Sequence, residues 1–183
     1  MLSYDQLVSR RREFCIPGYV TLAEVGFDWP LITPYQKAAR SDSGPVLIGL
    51  HWIGAGSIEP NRAELEACGY LPKMGFNRVL NIALYKAGMV RKNLYITQAF
   101  HLLPHRRSEN IPMPYVDASF DAITRHELIG RRVIALGNDA ADACLRHGIK
   151  FIRVPHPAAR GLTYEEKGRR LGQALSDARK LGA

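Results

Sequence analysis

The sequence predicts an α/β protein: a three-layer α/β/α sandwich around a central, mainly parallel sheet of four strands. Two observations carry this. Four short runs, Val46–Leu50, Leu94–Ala99, Val133–Leu136 and Phe151–Val154, are apolar without alternation, as strands covered on both faces are. Segments with helical spacing separate them, and strand–helix alternation builds a parallel sheet with right-handed crossovers.

The helices follow in order. Tyr4–Phe14 reads as a short basic helix. Residues 74–87 place Phe76, Val79, Leu80, Ala83, Leu84 and Ala87 on one stripe, with Gly88 as a terminator. Asp117–Leu128 carries Phe120 and Ile123. Asn138 is a candidate cap for Asp139–His147, which Gly148 ends. The last helix spans about Tyr164 to Leu181, with Leu171, Ala174, Leu175 and Ala178 on one face. Residues 1–44 are rich in turn chemistry (Pro17-Gly18, Pro30, Pro34, Ser41-Asp42-Ser43-Gly44) yet hold Val20, Leu22, Val25, Phe27, Trp29 and Tyr35. That is too apolar for a disordered tail, so they read as an arm packed on a single domain covering residues 1–183.

The chain has 183 residues, 46% hydrophobic and 23% charged, as expected of a globular protein with a full core. No apolar run approaches the roughly 20 residues that span a bilayer. The N-terminus lacks the basic and apolar regions of an export signal. Cys15, Cys68 and Cys144 are odd in number and widely spaced, which excludes a disulfide scaffold or zinc ribbon and favours a reducing cytoplasm. Net charge is +8, from 25 Lys and Arg against 17 Asp and Glu, which suits a polyanionic partner such as nucleic acid. The cations cluster at Arg10-Arg11-Arg12, Arg91-Lys92, Arg106-Arg107, Arg131-Arg132 and Arg169-Arg170. The plain reading of these clusters is a solvated surface.

In open α/β sheets ligands bind beyond the carboxyl ends of the strands. Here the first strand leads into Gly49-Leu50-His51-Trp52 and then Gly54-Ala55-Gly56-Ser57. The second ends in Thr97-Gln98-Ala99-Phe100-His101, the third in Leu136-Gly137-Asn138, the fourth in Pro155-His156-Pro157. One edge thus gathers histidines, an amide, aromatics and a glycine-rich loop. Gly54-Ala55-Gly56 lacks the third glycine of a dinucleotide fingerprint; its glycines equally permit close approach of a base or a backbone. His51, His101 and His156 have no accompanying carboxylate or Cys in sequence, so no metal or cofactor is expected. His126-Glu127 lacks the second His of a zinc-protease helix and reads as helix surface.

Across about residues 44–161 these pieces, in order and spacing, resemble the uracil-DNA glycosylase superfamily. Val46-Leu47-Ile48-Gly49-Leu50-His51-Trp52 resembles its first motif, a strand ending in Gly plus a water-positioning residue. Gly75–Gly88 resembles the helix that follows. Asn93–Pro104 resembles the strand whose usual Thr-Asn reads the base. Val133–Ala141 resembles the strand and helix before the last motif, and His156-Pro157 its His-Pro. The resemblance implies a monofunctional DNA glycosylase, which flips a base out of DNA and hydrolyses its N-glycosidic bond. It implies His156 and His51 as catalytic residues, the second orienting water. It implies Gln98, Trp52, Tyr70 and Gly49 as base-binding, and Arg160, Arg153, Arg106, Arg107, Pro155, Pro157 and Ala158 as DNA-binding. DNA is the implied partner of what is expected to be a cytoplasmic monomer.

The sequence departs from the family at Gln98 (usually Asn), at His51 (usually a carboxylate, Asn or other polar residue) and in His156-Pro157-Ala158-Ala159-Arg160-Gly161, which lacks the usual Ser. The cluster-binding cysteines of some branches are absent. A longer amide and small loop residues leave room for a base other than uracil. The superfamily includes enzymes for deaminated bases in repair and antiviral defence proteins that excise glucosylated hydroxymethylcytosine from phage DNA. Two alternatives stand beside this reading: a relative that binds DNA without cleaving it, and a nucleotide-binding enzyme on a flavodoxin-like sheet.

Overall fold

The computed structural model describes residues 2–180 and contains a four-stranded sheet, all parallel, between layers of helices. The strands are β1 Val46–Gly49, β2 Tyr95–Gln98, β3 Val133–Leu136 and β4 Phe151–Val154, in the order β2-β1-β3-β4. Leu47 pairs with Ile96 on one side and Ile134 on the other, so the central strands are in tight register. The strands lie where the apolar runs predict them.

Successive residues of each strand face opposite layers. Leu47, Ile96 and Ile134 pack against α3 (Gly75–Ala87) and α7 (Tyr164–Lys180), meeting Val79, Leu80, Ala83, Leu171 and Leu175. Val46, Ile48, Val133 and Ala135 pack on the other face against Phe120, Ala140, Ala141 and Cys144. These come from α6 (Asn138–Arg146) and from a helix that begins as α4 (Met113–Ser119), widens into a π-turn at Phe120–Thr124 and ends as α5 (Arg125–Glu127). Gly168 and Gly172 bring α7 close to α3: a Cβ on Gly168 would lie 2.4 Å from Ile82 Cγ2.

The N-terminal segment packs on this sandwich. Helix α1 (Tyr4–Glu13) starts in a capping box of Ser3 and Gln6. Leu22, Phe27, Tyr35 and Ala39 join the core on the α3–α7 side. Arg11 is buried and fastens α1, bonding Asp28 at 2.7 Å and the carbonyls of Trp29 and Leu31.

Two local expectations are corrected. A helix absent from the sequence reading, α2 (Arg62–Cys68), follows the glycine loop; with only Leu65 buried it shows no apolar stripe. Asn138 is the first residue of α6, and Gly137 occupies the cap position at φ +89. The expected end of the last helix at Leu181 lies outside the described residues. Several basic clusters are also not solvated surface. Arg131 stacks on Tyr95 at 4.1 Å and bonds the Ser41 carbonyl, Arg91 stacks on Tyr70 at 3.9 Å, and Arg132 bonds the Ala178 carbonyl.

Candidate active site

All strands run the same way, so their carboxyl ends converge on a cleft of about 200 Å³. Gly49 lines it at the end of β1 and Leu50, His51 and Trp52 just after, Thr97 and Gln98 at the end of β2, Gly137, Asn138 and Asp139 after β3, and His156 after β4. The arm adds Tyr35, the start of α3 adds Met74 and Phe76, and the loop beyond β2 adds Arg107.

His156 is set by its loop. The Ala158 amide donates to His156 Nδ1 at 3.0 Å. An amide N–H only donates, so Nδ1 must accept, and the neutral ring carries its proton on Nε2. Among the described residues no bond engages that Nε2–H. Burial, then the charges of Arg107 and Lys167, hold the His156 pKa below the ordinary histidine value, against an opposing pull from Asp139. Gly137 makes room for the ring: a Cβ there would lie 2.8 Å from His156 Cβ, on a backbone whose φ only glycine adopts easily.

His51 has a complementary arrangement. Its Nε2 lies 3.2 Å from the Arg107 carbonyl, which can only accept, so Nε2 bears the proton and Nδ1 a lone pair. Nδ1 is buried without a partner. Burial pushes the His51 pKa down to about 4, so the ring is neutral at pH 7. The loop supplying that carbonyl is held by the glycine segment. Ala55 N donates to Pro104 O at 2.8 Å, and a Cβ on Gly54 would meet Arg107 N at 2.6 Å. The glycines therefore serve close approach of backbone to backbone.

Gln98 is 2% exposed. Thr33 of the arm donates to its Oε1 at 3.0 Å, and its main-chain carbonyl accepts from Thr124 Oγ1 at 2.8 Å. Behind it lies a fully enclosed polar network. Glu127 accepts from Tyr95 and Thr97 hydroxyls at 2.6 Å each and from Gln36 Nε2 at 3.1 Å. His101 meets Thr124 Oγ1 at 3.0 Å. Burial pushes Glu127 up to about 7. Glu127 is thus not helix surface, and His101, 1% exposed, does not reach the cleft. Both corrections have one cause: the partners of Glu127 and of His101 Nε2 come from distant segments, and only tertiary structure brings such partners together.

The remaining expected residues divide. Gly49 faces the cleft, with open space where a Cβ would go. Trp52 borders the cleft but is a core residue, its ring against Phe27 and its Nε1 donating to the Gly69 carbonyl at 3.0 Å. Tyr70 does not line the cleft; Arg91 covers its face. The aromatic wall is Tyr35 and Phe76, centroids 5.5 Å apart. Arg153 and Pro155 line a hollow beside His156, where Arg153 bonds Asn138 Oδ1 at 2.7 Å. Arg106, Ala158 and Arg160 are exposed around this edge, whereas Pro157 is buried and stiffens the loop without offering surface.

Among the described residues no group of three or more His, Cys, Asp or Glu is placed to hold a metal ion. No described helix is long and apolar enough to cross a membrane. No family model matches the chain, and no curated protein matches it in sequence.

Proposed function

We propose that the protein is a monofunctional DNA glycosylase that flips a damaged or modified base into the strand-end cleft and hydrolyses its N-glycosidic bond. The observation carrying this reading is the pair of neutral histidines with fixed and complementary proton positions: His156 presents Nε2–H and His51 an unpartnered Nδ1 lone pair. Cleavage sends electrons onto the departing base and leaves an oxocarbenium-like sugar. A prepositioned neutral donor at His156 meets the charge that develops on the base. The acceptor at His51 holds the attacking water once DNA is bound, since catalytic hydrogen bonds commonly form only in the complex.

Gln98 reads the edge of the base, and Tyr35 and Phe76 supply the wall on which it rests. Arg107, Arg153, Arg106 and Arg160 surround the opening and suit phosphate contacts. The base is uracil or another deaminated base, or a bulkier modified cytosine of phage DNA.

The test is a panel of oligonucleotides carrying uracil, hypoxanthine, xanthine, hydroxymethylcytosine or its glucosylated form, incubated with the protein and then cleaved with alkali. The expected result is strand breakage at one modified position. DNA affinity should also fall steeply with salt. Breakage on no substrate, with salt-sensitive DNA binding retained, would support a binding protein without catalysis. Affinity for free nucleotides with little salt dependence would support a nucleotide-binding enzyme.

A further inference from the structure

The geometry points to Asp139 as a third catalytic residue, the carboxylate that faces the sugar and takes a proton from the attacking water. This rests on the glycosylase reading and adds a residue to its site.

Among the described residues lining the cleft, Asp139 alone carries a carboxylate. It stands in the first turn of α6, immediately after the Gly137 turn that accommodates His156. It also borders the hollow beside His156 and the one under residues 107–113, so it occupies the wall that all three spaces share. Its negative charge acts on both His51 and His156. Among the described residues no cation pairs with it, although Arg107 lines the same cleft with its guanidinium unengaged. Arg153 bonds Asn138 at 2.7 Å, and Arg146 holds Asp117 at 2.6 Å. An unpaired carboxylate in the central cleft of a chain with net charge +8 is placed for a positive partner supplied by the substrate. The oxocarbenium-like sugar is such a partner, and stabilising it is work that neutral histidines do not do.

The step balances without a further reagent. The water oxygen bonds C1′ as the C1′–N bond breaks, and the bonding pair leaves with the base, met by the His156 Nε2–H. One water hydrogen is held by His51 Nδ1 and the other passes as a proton to Asp139. Asp139 then returns that proton to solvent, and the departing base anion takes a proton from solvent.

Asp139→Asn keeps shape and helix-start chemistry while removing the charge. Single-turnover excision should slow on the order of 100-fold or more, with DNA affinity undiminished because an anion has been removed. Histidine titration by NMR gives a readout independent of turnover: both His51 and His156 should shift to lower pKa in the variant. Asp139→Ser, which retains a helix-starting side chain, should behave alike if Asn perturbs the turn. Wild-type rates in both variants, or unmoved histidine titrations, would overturn the assignment of Asp139 while leaving the glycosylase reading intact. A wild-type protein that excises nothing would overturn both.

Discussion

His156→Ala is expected to slow base excision by about 100- to 1000-fold at saturating enzyme, the usual cost of one prepositioned donor to a developing anion. DNA affinity should not change, because the phosphate contacts assigned to the arginines are made elsewhere. The wild-type rate should also not fall as pH rises through the ordinary histidine range. Burial and the Arg107 charge depress the His156 pKa, which favours the neutral ring, and that ring acts by donating a hydrogen bond. A rate that collapsed on deprotonation near that range would mean that an imidazolium does the work. Loss of DNA binding in the Ala variant would mean that His156 only shapes the loop.

Glu127→Ala should carry the largest cost in stability. It would leave the Tyr95 and Thr97 hydroxyls buried without an acceptor and remove one of the two acceptors of Gln36 Nε2, costing about 3 kcal/mol. The pH dependence has a definite sign. The folded protein holds the Glu127 proton up to about 7 against an ordinary 4.5, so it binds more protons than the unfolded chain between those values. The Glu127 contribution is therefore full below about 4.5 and is lost as pH rises to about 7. His51 and His101, both depressed by burial, act in the opposite direction, so the difference between wild type and Glu127→Gln isolates the Glu127 part. Denaturant unfolding of the two proteins from pH 4.5 to 8 would show the wild type losing its advantage over that window. A constant difference would mean that Glu127 is ionised throughout.

The fold was legible because burial on both faces leaves a mark in composition. Val-Leu-Ile at 46–48 and Val-Ile-Ala-Leu at 133–136 have no polar face to offer, and central strands of a parallel sheet need none. The convergence of His51, Gln98 and His156 followed from strand direction alone. What the sequence hid depends on partners from distant segments. Phe76 lies on an apolar helical stripe and looks like core in sequence; that its ring also walls the cleft is decided by where α3 begins. Tyr35 reaches the site from a segment whose pattern says only that it packs. Glu127 and His101 look like surface or strand-end residues until Tyr95, Thr97, Gln36 and Thr124 surround them. Asp139 reads as an ordinary acidic residue at a helix start, and only the cleft lining shows what it faces.

Hydrolysis at C1′ is tested most directly by running the excision in heavy-oxygen water and weighing both products. The glycosylase reading requires an intact free base without label and an abasic sugar that carries one labelled oxygen. A labelled base, or no released base at all, would contradict it.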